Sequence, residues 1–314
     1  MTVGTQLDQY RLDHIISRDN TVTVFKATDL QTNQPVALKV PHPGMETDPG
    51  FVDRFHREQE IGRTLTHPGV LKVLPDGHQS QTYLVMEWFD GKTLREILLE
   101  DKKLPPSRAA HIALEVCDAL AYIHNHGVVH RDLRPENILV DAHDHIKLTD
   151  FRVAAKEGAP RLTFTNLSQM IGASAYTSPE ELKGQRGDAR SDIYAVGVIL
   201  YELLTGKLPF PGSDPFERLS THPVPPRELN PAISPQLQEV IYRALEREHK
   251  NRYASAHEMA VDLAHLDRVG VADRPELGDR KRKEAAKSKK LFVYAAIALI
   301  PILVFGLLIY FSQH

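Results

Sequence analysis

The chain has 314 residues, 42% of them hydrophobic and 25% charged, enough for one large or two modest globular domains. A single cysteine, Cys117, excludes an internal disulfide framework and fits a reducing compartment. The formal net charge of −3 is unevenly placed: residues 280–290 hold seven basic side chains against one acid, so the rest of the chain is distinctly acidic, which argues against a nucleic-acid partner. The sixteen histidines show no metal-ligand spacing, and His124, His126 and His130 read as polar residues near a helix end.

In chain order, residues 1–9 read as a frayed N-terminal tail. Segments 10–16, 22–28 and 35–40 are rich in β-branched and apolar residues separated by turn residues, and predict three antiparallel strands. Segment 41–50 is a Pro/Gly loop, 51–65 has helical spacing, and 70–74 and 82–86 predict two more strands. Beyond a short link at 87–91 helical patterns dominate, at 93–100, 107–124, 191–205, 235–246 and 255–266. Thr93 and Ser107 are the expected N-caps, with Glu96 completing a capping box for the first. Between the second and third of these helices, Ile138 to Val140 and Ile146 to Leu148 flank a turn-rich stretch and predict a hairpin. Such a hairpin brings Asn137 and Asp150 to one end, with Asp132 nearby. These are hard oxygen ligands of the kind Mg²⁺ takes beside a phosphate. A small β-rich unit joined to a larger helical one leaves a cleft between them, a favoured small-ligand site.

The stretch from His130 to Phe151, with H-R-D-L-R-P-E-N and D-F, resembles the catalytic and metal loops of protein kinases. The resemblance runs over about residues 10–268 and is closest in pattern to bacterial membrane-anchored Ser/Thr kinases of the eukaryotic type. It implies an α+β, two-lobed protein-kinase-like fold: a kinase domain at 10–269 with a β-rich N-lobe at 10–86, a hinge at 87–91 and a helical C-lobe at 92–269. It implies transfer of the γ-phosphate of ATP to Ser/Thr hydroxyls of protein substrates, with Mg²⁺ (or Mn²⁺) as the metal. Lys39, in Val36-Ala37-Leu38-Lys39, is then the phosphate lysine and Glu58 its helix partner. Ile16, Val24, Ala37, Met86, Glu87, Phe89 and Leu139 surround the adenine. Asp132 is the base or orienter of the substrate hydroxyl, Arg134 stands where Ser/Thr kinases carry a lysine, and Asn137 and Asp150 hold the metal. Ser178-Pro179-Glu180, the segment 188–206 and Arg252 match structural positions of the larger lobe. Thr163, Thr165 and Ser168 are candidate autophosphorylation sites that could pair with Arg131.

Several positions depart from the family pattern. The three glycines of the phosphate loop are replaced by Ser17, Asp19 and Val22. Without them backbone N–H groups approach phosphates less easily, so weakened ATP binding or a reshaped lid is expected. Asp19 places an anion near the phosphates, unfavourable unless paired or turned away. Arg152 replaces the glycine after Asp150-Phe151 and narrows the backbone options there. Ala173 lacks the hydroxyl usual at its position, and Gly62, inside a helix, costs about 1 kcal/mol relative to alanine. No departure removes the base, a metal ligand or Lys39, so an active kinase is the expectation. The alternative is a pseudokinase acting as a nucleotide-binding or scaffold module in a membrane complex.

Residues 291–311 form an uncharged, mostly apolar run, and about 20 such residues span a bilayer as a helix. Tyr294 and Tyr310 lie near its two ends, and Pro301 is tolerable inside a membrane helix. The basic linker at 270–290 places the kinase domain in the cytoplasm by the positive-inside rule and could attract anionic lipid. The expected protein is single-pass in the cytoplasmic membrane with a short far-side tail at 312–314. External signals then arrive through a membrane partner or a homodimer.

Overall fold

The computed structural model describes residues 2–75, 77, 79–156, 174–211 and 217–274. The predicted span 291–311, the tail, the linker beyond residue 274, and Thr163, Thr165, Ser168 and Ala173 all lie outside the described residues. Among the described residues no helix is long and apolar enough to cross a membrane.

The N-lobe is a five-stranded antiparallel sheet in sequence order: β1 (Gln6–Leu7), β2 (Tyr10–Arg18), β3 (Val22–Asp29), β4 (Gln34–Pro41) and β5 (Leu84–Glu87). The predicted tail is thus an edge strand. Leu7 is buried, and the carboxylate of Asp8 accepts hydrogen bonds from the Tyr83 hydroxyl and Ser80 N–H. Alternation along β4 sorts its side chains between two faces. Val36, Leu38 and Val40 join Tyr10, Leu12, Phe25 and Tyr83 in an outer core. Ala37 and Lys39 face the other way, toward α1 (Pro49–Thr64), whose Phe51 and Phe55 pack with Val22, Val73, Leu84 and Met86. The α1 helix starts at Asp48, whose side chain accepts from Gly50 N–H at 2.9 Å.

The predicted strand at 70–74 is irregular. Val70 bridges Leu148 and Val73 bridges Met86, so this short segment is shared between two lobes and pairs regularly with neither. Its passage explains Gly62. A Cβ there would lie 2.2 Å from Val73 Cγ2, inside van der Waals contact, so glycine lets α1 come down onto the segment.

In the C-lobe, β6 (Gly91–Thr93) leads into α2 (Leu94–Asp101), where the capping box forms as expected: Thr93 Oγ1 accepts from Glu96 N–H and Glu96 Oε2 accepts from Thr93 N–H at 2.7 Å. The expected cap at Ser107 does not form. Helix α3 (Pro106–Asn125) begins one residue earlier, because Pro106 supplies a preset helical φ at the first position and Pro105 takes the cap without a side-chain bond. After α3 come β7 (Val128–Val129), the hairpin β8 (Ile138–Asp141) and β9 (Ile146–Leu148), and β10 (Ala155–Lys156), which pairs with β7. Beyond the undescribed stretch lie α4 (Pro179–Leu182), α5 (Ala189–Thr205), α6 (Glu217–Ser220), α7 (Pro226–Leu229), α8 (Pro235–Ala244) and α9 (Ala256–Ala264).

The lobe is built around α5, every residue of which from Ser191 to Leu204 is buried. A helix apolar on all sides must be enclosed, and α3 and α8 enclose it. Gly197 permits the α8 contact, since a Cβ there would sit 2.7 Å from Ala244 Cβ. Its entrance is tied by Arg252, which makes a two-pronged bond to Glu180 at 2.7 Å on each oxygen, while Ser191 Oγ donates to Glu180.

Gly62→Ala is expected to destabilise the protein by roughly 1–3 kcal/mol through overpacking on Val73, although alanine is the better helix former. Chemical denaturation reads this directly. A variant as stable as the parent or more so would mean the α1 contact relaxes freely.

Candidate active site

On the inner face of β4, Lys39 Nζ donates to both oxygens of Glu58 at 2.7 Å and lies 3.5 Å from Asp150 Oδ1. Lys39 and Glu58 are 5% and 3% exposed, so this cation is withdrawn from water and held between two carboxylates. Burial pushes the Glu58 carboxyl up against the pull of Lys39. Burial also opposes ionisation of Asp150, but Lys39 and Arg152 hold it well below the ordinary carboxylate range. A buried ion pair of this kind is weak evidence for stability. Its consequence here is positional, aiming one ammonium into the cleft.

The β8–β9 hairpin forms with Ile138 opposite Leu148, and Thr149 N–H donates to Asn137 C=O. Asn137 and Asp150 therefore flank the same end, as the sequence predicts. Asn137 Nδ2 donates to Asp132 C=O at 2.7 Å and to Asp132 Oδ2 at 3.1 Å. With its nitrogen so placed, the Asn137 amide oxygen is the atom left for a metal. Burial raises the pKa of Asp132, the charge of Asp150 adds to that, and His130, Arg134 and Asn137 oppose it, which makes it a stronger proton acceptor than an ordinary carboxylate.

Two residues of this site adopt the left-handed region: Arg131 at φ 63° and Asp150 at φ 65°. Such non-glycine conformations cost on the order of 1–3 kcal/mol and persist when surroundings over-determine them. Asp192, 1% exposed in the first turn of α5, supplies that determination for Arg131. Its Oδ1 accepts from Arg131 N–H at 2.8 Å, and its Oδ2 accepts from His130 N–H at 2.9 Å and pairs with His124 Nε2 at 2.8 Å. His130 in turn reaches Thr149 C=O and packs on Phe151, linking the catalytic loop to the segment carrying Asp150.

Val24, Ala37, Met86, Phe89 and Leu139 come together in one apolar cluster at the hinge side, as expected for an adenine slot. Ile16 stands apart from it, 49% exposed on β2 beside a register shift. The Glu87 carboxylate accepts from Lys72 N–H and Lys147 Nζ, and Glu87 N–H donates to Lys72 C=O at 3.0 Å, which fastens the hinge to the segment at 70–74. Arg134 points its Nε to Glu136 Oε2 at 2.8 Å, and Arg95 takes the other oxygen of Glu136 as well as Glu202. A cavity of about 210 Å³ opens beside Asp132, walled by Thr21, Arg54, Phe55 and Arg152.

The contacts of Arg152 are not foreshadowed in the sequence. Its Nε donates to Asp150 Oδ1 at 2.7 Å, its Nη2 to Asp150 Oδ2 at 2.6 Å, and its Nη1 to Asp19 Oδ2 at 3.1 Å. The role of Asp192 is equally silent locally, because its partners lie 61 and 62 positions away. Asp150 and Asn137 fit a divalent ion: both offer hard oxygens, and Asp150 already attracts a positive group to both of its oxygens.

A protein kinase domain profile matches residues 10–263. The chain belongs to the protein kinase family. It is 36% identical over 279 residues to the serine/threonine-protein kinase PknB of Mycolicibacterium smegmatis, across 86% of this chain and 45% of that protein. It is 37% identical to PknB of Mycobacterium leprae, again across 86% of this chain and 45% of the relative. The chain thus spans somewhat under half the length of these curated relatives. The crystal structure of the Mycobacterium tuberculosis PknI kinase domain superposes with a TM-score of 0.65 at 26% identity, covering 85% of this chain and 99% of that one. These likenesses agree with the expected group, bacterial Ser/Thr kinases of the eukaryotic type, and with the two-lobed fold.

Asp192→Ala leaves two buried N–H groups without an acceptor and is expected to cost roughly 2–4 kcal/mol. Well below its melting temperature, the surviving folded fraction should still lose most phosphotransfer, because Arg131 no longer has a reason to stay left-handed. A variant with parental melting behaviour and turnover would show that the loop holds itself.

Proposed function

We propose that this chain is an ATP-dependent Ser/Thr protein kinase working at the cytoplasmic face of a membrane. The observation that carries the catalytic reading is the closed Lys39–Glu58 pair beside Asp150, with Asp132 and Asn137 bonded to each other at the same cleft end. Lys39 is placed to meet the α- and β-phosphates of ATP, and the apolar cluster around Ala37 and Leu139 to take the adenine. Asn137 and Asp150 would hold Mg²⁺ or Mn²⁺, which offsets phosphate charge when bound. Asp132 orients the substrate hydroxyl and accepts its proton as the γ-phosphoryl group moves across. The chemistry asks mostly for positioning and charge neutralisation, both of which these residues supply. Thr163, Thr165 and Ser168 are the proposed sites of autophosphorylation.

The full chain, given γ-labelled ATP and Mg²⁺, should label itself or a protein substrate. Asp132→Asn should lower incorporation at least about 100-fold, the least that a positioned general base commonly contributes. A second reading, a pseudokinase holding nucleotide without transferring phosphate, is favoured by the Arg152 contacts on Asp150 and by the missing loop glycines. It predicts nucleotide-induced thermal stabilisation with no label in either protein.

The membrane placement rests on the apolar run 291–311 and the basic residues before it. The linker would meet anionic lipid, and signals would enter through a membrane partner or a second copy. Protease added to intact spheroplasts should spare the kinase domain; its digestion from outside would refute this topology.

A further inference from the structure

The loop between β2 and β3 is where the family pattern has its glycines, and there Asp19 turns its carboxylate back onto the loop's own backbone. Asp19 Oδ1 accepts from Thr21 N–H at 2.7 Å, Val22 N–H at 2.8 Å and the Thr21 hydroxyl at 2.8 Å. Backbone N–H groups converging on one anion form the kind of nest that cradles phosphates. Some burial notwithstanding, these donors and Arg152 hold the Asp19 carboxyl down to about 2, so the anion is permanent at physiological pH. Its second oxygen accepts from Arg152, and Arg152 covers both oxygens of Asp150 with a planar fork. The series therefore runs from loop N–H groups to an anion, then a cation, then the Asp150 carboxylate. Nucleotide bound with a divalent ion needs the same succession, with phosphate in the place of the Asp19 carboxylate and metal in the place of the Arg152 guanidinium.

Building on the kinase reading above, we propose that Asp19 and Arg152 form an internal stand-in for phosphate and metal, a clasp that nucleotide and divalent ion together must open. The two residues are then positioning residues that set how much nucleotide and metal the site requires. The competition is direct at both ends. Phosphate oxygens and Asp19 need the same N–H groups of Thr21 and Val22, and the metal and Arg152 need the same Asp150 oxygens. Nucleotide without metal can replace Asp19 but leaves Arg152 on Asp150, so metal-free binding gains least from the site. The clasp also ties the phosphate loop to a residue 133 positions away. Its strong half is the Arg152–Asp150 fork, with the carboxylate 14% exposed. The Asp19 half is 44% exposed, and a pair that open contributes less.

The test is calorimetric titration of the full chain with a non-hydrolysable ATP analogue, with and without Mg²⁺. Arg152→Gly is expected to bind the magnesium complex about tenfold more tightly and to reach half-saturation at lower Mg²⁺, since a two-pronged charged bond no longer has to be broken. Asp19→Asn keeps an oxygen for the loop N–H groups but loses the charge facing Arg152, and a few-fold gain is expected. The double variant should bind no better than Arg152→Gly alone, because both changes open one device. Magnesium-dependent binding that is unchanged or weaker in Arg152→Gly overturns the proposal; weaker binding would make Arg152 a direct phosphate ligand. Thermal unfolding without nucleotide checks folding. Should Arg152→Gly fail to fold, Asp19→Asn decides, tighter binding supporting the clasp and equal or weaker binding overturning it. If parent and variants all fail to bind nucleotide, the kinase reading falls and the clasp falls with it. Tighter binding with no phosphotransfer sinks only the catalytic reading.

Discussion

A single buried carboxylate, Asp192, holds the working parts in register. It sits in the first turn of α5, a helix wrapped on all sides by the larger lobe, and its oxygens grip the His130 and Arg131 backbone. The catalytic loop can therefore keep a left-handed Arg131 that it would not adopt alone. From there His130 reaches the segment preceding Asp150, and the hairpin hydrogen bonds place Asn137. The rigidity of the helical core is in this way passed to the polar end of the cleft, and the positions of Asp132, Asn137 and Asp150 are by-products of packing α5.

The cleft end itself is governed by charge. Lys39 and Arg152 pair with Glu58, Asp150 and Asp19, and Asp132 lies close enough for the Asp150 charge to act on it, an acidic collection in a partly dry place. Such an arrangement stays folded only because each carboxylate has a donor: Lys39 for Glu58, Arg152 for Asp150, Asn137 for Asp132, backbone N–H groups for Asp19. It also draws cations. The replacement of glycine by Arg152 and of loop glycines by Asp19 looks like separate damage to a motif, yet the two substitutions meet in space and neutralise each other.

Much of this was legible locally. The β-branched and apolar content of 22–28 and 35–40 announced antiparallel strands, the turn residues at 141–144 announced the hairpin, and Thr93 with Glu96 announced a helix start that formed as written. Failures came where a neighbour overrode a local signal. Ser107 lost its cap to the preset backbone of Pro106, the first residues gained a strand because β2 offered an open edge, and 70–74 lost regularity because two lobes share it. Gly62 read as a helix defect until Val73 appeared beside it.

By itself the sequence determined the kinds of chemistry present, the strand and helix periods, and the spacing of Asp132, Asn137 and Asp150, since these depend on residues close along the chain. Only the tertiary structure decided which charges meet. Asp192 reaches Arg131 and His130 across 61 and 62 positions, Arg95 reaches Glu202 across 107, and Arg152 reaches Asp19 across 133, and no local rule reaches that far. A side chain's period is set by its own backbone, whereas its partner is set by how enclosed elements pack against one another. Arg152 acquires its place at Asp150 and Asp19 through that packing.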